Sequence, residues 1–180
     1  NPSNPIKLPD GSELNSNTPI ITFVNRRLEP YRGCHTMIRA IPSIQALAPK
    51  AHILMVGETQ GTSYGKHCPK GEWKDYFLAD IEGRYDPGKV HFTGTLSYQD
   101  YLNVLHHSWV HVYLTYPFVL SWSMLEAMSC GCAVVGSDTA PVREVIEHER
   151  NGLLVNFFDS EPLASTITSL LNDRKRAPYC

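Results

Sequence analysis

Three arginines, Arg26, Arg27 and Arg32, follow directly on the apolar run Ile20-Ile21-Thr22-Phe23-Val24. A β-branched run of this kind forms a buried strand, so the cations gather at a strand's carboxyl end. Two chemistries suit them. One is a solvated turn in which Arg26 or Arg32 pairs weakly with Glu29. The other is a diphosphate site, where each charge-assisted hydrogen bond contributes about 1.5–3 kcal/mol. A second group lies between Tyr116 and Arg143. There Ser123-Met124-Leu125-Glu126 reads as a capping box, its glutamate returning to the N-cap amide. It reads equally as an inward carboxylate on a short helix, the preceding loop Pro117–Ser123 placing free N–H groups where an anion is favoured.

The elements around these residues settle which of them can meet. Ile20–Val24, Ile53–Val56, Val90–Thr93, His111–Leu114, Ala133–Val135 and Leu153–Val155 are short and apolar, as strands of a parallel sheet covered on both faces are. Helices alternate with them. Met37, Ile38, Ile41 and Ile44 mark the first, with a kink expected at Pro42. Trp73–Ile81 is the second. A third starts after the N-cap Ser97, with Asp100 in its first turn and Tyr98, Tyr101, Leu102 and Leu105 as its buried stripe. Pro141 opens a helix reaching Glu147, and Pro162–Leu171 turns Leu163, Ile167, Leu170 and Leu171 to one side. About six β-α units without an internal repeat predict one doubly wound α/β domain, a Rossmann-like parallel sheet with helices on both faces. It is expected to occupy residues 20–180, with residues 1–19 a linker or edge segment carrying a Pro9-Asp10-Gly11 turn.

Composition narrows the function classes. The 180 residues are 42% hydrophobic with a formal charge of −2, which suits one core-forming domain and no nucleic-acid partner. No run approaches the roughly 20 apolar residues of a membrane span. Five scattered cysteines make neither a Cys-x-x-Cys pair nor a zinc spacing, and His106, His107 and His111 join no carboxylate in a metal pattern. Free thiols point to a reducing compartment, so cytoplasm is expected. The chain carries no signal peptide as it stands and reads as part of a longer protein. Glu58–Glu72 is glycine-rich and expected to be a long mobile loop, without the Gly-Lys-Ser/Thr ending of a P-loop or a Gly-x-Gly-x-x-Gly.

In a doubly wound sheet, loops at the carboxyl ends of strands converge on one crevice. The arginine turn, Gly94-Thr95-Leu96 and Pro117–Ser123 are three such loops, and Gly57 ends a strand where backbone can approach a ligand. A nucleotide diphosphate fits this set, with cations on the phosphates and Glu126 accepting from ribose hydroxyls.

From Ile20 to Leu171 the chain also resembles the retaining glycosyltransferases of family 4, in the carboxy-terminal half of their GT-B fold. Arg27-Leu28-Glu29-Pro30-Tyr31-Arg32-Gly33 is similar to the family's diphosphate motif, with Arg32 in place of the usual lysine. Leu125-Glu126-Ala127-Met128-Ser129-Cys130-Gly131 resembles the signature whose glutamate binds ribose, and Val90–Leu96 the segment that packs on the base. Phe118 stands where the family commonly carries a second glutamate that contacts the donor sugar, which leaves the backbone of Val119, Leu120 and Ser121 to serve sugar and phosphates.

The resemblance implies a hexosyltransferase that takes a sugar from a UDP-sugar, UDP-glucose first, with retention and no metal or other cofactor. Its implied acceptor is a saccharide or lipid-linked glycan, as in polysaccharide biosynthesis. The implied site is Arg27 and Arg32 on the leaving diphosphate, with Gly57, Gly94, Thr95, Leu96, Phe118, Val119, Leu120, Ser121, Ser123 and Glu126 around the nucleotide-sugar. The acceptor domain and its catalytic histidine are expected in an amino-terminal half outside this chain, along with peripheral membrane association of the full-length enzyme. The isolated piece is expected to bind donor and turn over poorly. Competing readings are a nucleotide-sugar epimerase-like domain, a non-catalytic nucleotide-binding module, and an α/β domain with no small ligand.

Overall fold

The computed structural model describes residues 4–117 and 120–172. In chain order the elements are β1 (Ile6–Lys7), β2 (Glu13–Leu14), β3 (Ile20–Arg27), α1 (Cys34–Leu47), β4 (His52–Glu58), α2 (Trp73–Ala79), β5 (Val90–Gly94) and α3 (Tyr98–His107). They continue as β6 (Val110–Tyr113), α4 (Trp122–Ser129), β7 (Ala133–Ser137), α5 (Ala140–Arg143), β8 (Leu153–Val155) and α6 (Ser160–Asn172). The six strands β3 to β8 form one all-parallel sheet in the order β5-β4-β3-β6-β7-β8.

The alternation of side chains along each strand explains why both faces need cover. In β3, Ile21 and Phe23 face a core shared with α1, α2 and α6, while Ile20 and Val24 face the opposite side. Ile53 and Met55 of β4 divide from Leu54 and Val56 in the same way. On that opposite side α3, α4 and α5 close the second layer, around Tyr113, Met124, Val134 and Val142. A strand buried on both faces shows no polar alternation, which is why each reads as a continuous apolar run.

Residues 4–19, expected as a linker or edge segment, form an antiparallel hairpin. Its strands pair Ile6 with Leu14 and Lys7 with Glu13, and its turn is tied by the Asp10 carboxylate accepting from the Ser12 amide at 2.9 Å. Ile6, Leu8 and Leu14 are buried against Ile20, Val24, Leu54, Val56 and Val104.

Five local expectations change. β3 continues past Val24 to Arg27 through a register shift against β4. α1 runs unbroken through Pro42. It can do so because its buried face, Met37, Ile38, Ile41 and Ile44, is fixed in the core, and packing outweighs the lost N–H. The helix expected to reach Glu147 is one turn, Ala140–Arg143, and α2 ends at Ala79 rather than Ile81. Tyr98, placed in the buried stripe of α3, is 64% exposed, and Val104 and His107 are buried instead.

Candidate functional site

Counted from β3, the strand order is third, second, first, fourth, fifth, sixth, so the winding reverses between β3 and β6. Loops leaving those two strands run in opposite directions across the sheet and open a crevice between them. The β3 loop is the arginine turn; its residues Pro30–Arg32 make one 3₁₀ turn ending at Gly33, which has φ +74°. The β6 loop meets it directly, the Tyr116 amide donating to the Tyr31 carbonyl at 3.0 Å with the two phenol rings edge to face. A Cβ on Gly33 would overlap the side chain of buried Leu114, so the turn approaches β6 more closely than any residue with a side chain allows.

A cavity of about 500 Å³ opens beside this switch point. β3 and β4 supply Asn25, Arg26, Arg27, Gly57 and Glu58; the β5 loop supplies Thr95 and Leu96; α3 supplies Tyr101; the start of α4 supplies Ser121, Trp122, Ser123 and Glu126. Of the expected site residues, Arg27, Gly57, Thr95, Leu96, Ser121, Ser123 and Glu126 therefore line one cavity. Gly94 and Arg32 are outside that lining, and Leu120 is partly buried against the core cluster that includes Tyr113 and Met124. Phe118 and Val119 lie outside the described residues. Gly57 serves two ends: it lines the cavity, and a Cβ there would overlap the Asn25 carbonyl oxygen across the β3–β4 register shift.

The two arginines are held differently. Arg27 donates from Nη1 to the Gln60 carbonyl at 3.1 Å, at the cavity edge. Arg32 sits over the Tyr64 ring and beside the Tyr113 phenol. That phenol accepts from the Ser121 amide at 2.8 Å, so Arg32 stands one hydroxyl away from the N-terminus of α4. Burial raises the Tyr113 pKa, opposed by the Ser121 amide and the Arg32 charge. Glu29 does not sit in a solvated turn. It is 1% exposed, and its carboxylate accepts from the Ser63 and Tyr64 amides at 2.6 and 3.2 Å, pinning the long glycine-rich loop over the arginine turn.

Glu126 is not a capping residue. The N-cap of α4 is Ser121, whose hydroxyl accepts from the Ser123 amide at 3.4 Å, which places Glu126 beyond the first turn and turned toward α3. There Tyr101 and Tyr98 donate to its two oxygens at 2.9 and 3.2 Å. Burial first, then the carboxylate, raise the Tyr101 pKa; the hydrogen bond to Glu126 is the first cause at Tyr98. Both phenols stay protonated donors. Sequence reasoning placed Tyr101 in a packing stripe and did not single out Trp122, which is 79% exposed on the cavity rim. Its place within the loop Pro117–Ser123, already expected to hold an anion, was the available signal. Among the described residues no three His, Cys, Asp or Glu side chains gather as metal ligands, and no helix is long and apolar enough to cross a membrane.

Comparison with known proteins bears on this site. The family described as Glycosyl transferases group 1 matches residues 6–180. A GDP-mannose-dependent monoacylated alpha-(1-6)-phosphatidylinositol monomannoside mannosyltransferase of Corynebacterium glutamicum is 27% identical over 163 residues, 87% of this chain and 39% of that protein. The N,N'-diacetylbacillosaminyl-diphospho-undecaprenol alpha-1,3-N-acetylgalactosaminyltransferase of Campylobacter jejuni is 33% identical over 133 residues, 74% of this chain and 31% of that protein. The chain thus spans about two fifths or less of the curated relatives it matches. Among solved structures, Anabaena HepE in complex with UDP-glucose superposes with a TM-score of 0.72 at 22% identity, over 89% of this chain and 41% of that one, a likeness of fold.

Proposed function

This chain belongs to the group 1 glycosyl transferases, as a family-4 GT-B carboxy-terminal domain, and from that premise we propose that it is the donor-binding part of a retaining hexosyltransferase. The observation that carries the proposal is the switch-point cavity, where Arg27, the N-terminus of α4 and the Glu126 carboxylate face one volume of about 500 Å³. A nucleoside diphosphate needs this combination of cation, oriented amides and a diol acceptor.

In the reaction we propose, the bond from the donor's anomeric carbon to the diphosphate oxygen breaks and one to an acceptor hydroxyl forms. The proton of that hydroxyl leaves to a base supplied by the amino-terminal half. Arg27 and Arg32 hold the negative charge that grows on the departing diphosphate. Charge held more tightly in the transition state than in the ground state raises turnover rather than affinity alone. The same residues give the leaving group its counter-charge without a divalent ion. The N-terminus of α4 serves the phosphates and sugar, Thr95 and Leu96 pack on the base, and Glu126 accepts from the ribose.

UDP-glucose is our first donor. The mannosyltransferase relative is named for GDP-mannose, so both bases enter the test. A saccharide or lipid-linked acceptor and cytoplasmic location complete the proposal. Titration calorimetry of the chain with UDP, GDP, UDP-glucose and GDP-mannose is expected to show one nucleotide pair binding. Arg27→Ala and Glu126→Ala should each weaken it about tenfold or more, the loss of one hydrogen bond to a charged group. Binding that is unchanged in both variants would remove the site assignment.

A further inference from the structure

Glu126 opens on the cavity, yet among the described residues it makes no ion pair. Two phenols from one helix hold it instead. Tyr98 and Tyr101 lie three residues apart on α3, a spacing that puts both on one side of the helix, and both reach across to α4. Each takes a different carboxylate oxygen. A carboxylate offers about four lone-pair sites, so one on each oxygen remains. That remainder matches a vicinal diol, which brings two O–H donors side by side.

We infer that Tyr101 is a positioning residue for ribose recognition: it fixes the plane of the Glu126 carboxylate so that one free lone pair on each oxygen faces the cavity, with Tyr98 as an outer strut. The inference rests on the reading of Glu126 as the ribose acceptor. Tyr101 carries the larger share because it is half-buried and lines the cavity, and a bond shielded from water is stronger. Tyr98 is 64% exposed, so water competes for its hydroxyl. Holding the glutamate in one rotamer before the ligand arrives also removes an ordering cost from binding.

The test is a cycle of side chain against ligand hydroxyl. Affinities of UDP, GDP and their 2′-deoxy forms are measured for wild type, Glu126→Ala, Tyr101→Phe and Tyr98→Phe. Wild type is expected to prefer the ribose form about tenfold, and Glu126→Ala to abolish that preference. Tyr101→Phe, which keeps the ring and its packing, should reduce the preference to roughly twofold, and Tyr98→Phe should leave an intermediate value. Affinity for inorganic pyrophosphate should stay the same in all four proteins. A Tyr101→Phe protein that keeps the full preference overturns the inference, as does one that weakens both forms equally, which is the signature of a merely structural ring. Should Tyr101→Phe fail to fold, a full preference in the exposed Tyr98→Phe variant overturns it. A wild type that binds neither nucleotide, or ignores the 2′-hydroxyl, overturns the donor-site reading itself and this inference with it.

Discussion

Replacing Gly33 with alanine tests the contact on which the crevice depends. Gly33 ends the arginine turn and precedes α1 with φ +74°, a conformation that costs a residue with a Cβ about 1–2 kcal/mol. The added carbon would also overlap the Leu114 Cβ and lie 3.0 and 3.2 Å from its Cδ1 and Cγ. Leu114 is fully buried, and the near atom is the root of its side chain, so no rotamer change clears it. Overpacking of this kind costs about 1–3 kcal/mol, which brings the expected loss to about 2–5 kcal/mol. For a chain of this size that lowers Tm by roughly 5–15 °C. Gly83→Ala is the control: Gly83 has φ +71°, but an added Cβ there would meet nothing within 4 Å, so it isolates the backbone cost. Urea unfolding followed by circular dichroism compares the two against wild type. If Gly33→Ala loses no more than Gly83→Ala, the arginine turn does not lie against β6, and the switch-point geometry is wrong.

Other perturbations read separate links. Glu29→Gln removes a charged acceptor from the Ser63 and Tyr64 amides and should cost about 1–3 kcal/mol. Its sharper signature is faster tryptic cleavage at Lys66 and Lys70, and cleavage at the wild-type rate would mean that the loop is held by something else. His111 is fully buried with its Nδ1 on the Thr22 hydroxyl, and burial lowers its pKa to about 4. The unfolded chain therefore takes up the proton first, and stability falls as pH drops from about 6.5 toward about 4, by up to roughly 3 kcal/mol. His111→Leu should flatten that part of the denaturation midpoint against pH; an unchanged slope places the titration elsewhere. Trp122→Ala should change stability by less than about 0.5 kcal/mol while weakening nucleotide binding, because the ring is 79% exposed on the cavity rim.

The strands of the sheet were legible because each is a short apolar run, and their alternation with helices yields the doubly wound fold. The carboxyl end of β3 was not legible. Asn25, Arg26 and Arg27 are polar because they line a cavity, and a pattern rule that equates strand with apolar residues stops at Val24. The hairpin of residues 4–19 escaped for a related reason. Its strands are two residues each, too short for periodicity to register, and only Ile6, Leu8 and Leu14 anchor it. The Ser123–Glu126 spacing misled because a capping box depends on where the helix begins. Ser121 takes the N-cap, and a shift of two residues turns the glutamate from its own backbone toward α3.

Glu29 and Glu126 each belong to one of the two motifs that frame the crevice, and residue type alone does not separate them. Burial and partners separate them. Glu29 lies in the arginine motif, yet it is sealed at 1% exposure and spends its charge on two amides of the chain's own loop. A ligand reaching it would have to displace that loop and break both hydrogen bonds to the carboxylate, at a cost of about 1.5–3 kcal/mol for each. Glu126 faces open volume, and its two tyrosine donors leave acceptor capacity on both oxygens. A carboxylate kept at a cavity wall by two tyrosine hydroxyls is poised for further donors, which a sugar diol supplies and a cationic partner would pre-empt. The same reasoning predicts that Glu126→Lys abolishes nucleotide binding with the fold intact. Glu29→Lys, in contrast, should fail at folding, because a buried ammonium among backbone N–H groups has no acceptor.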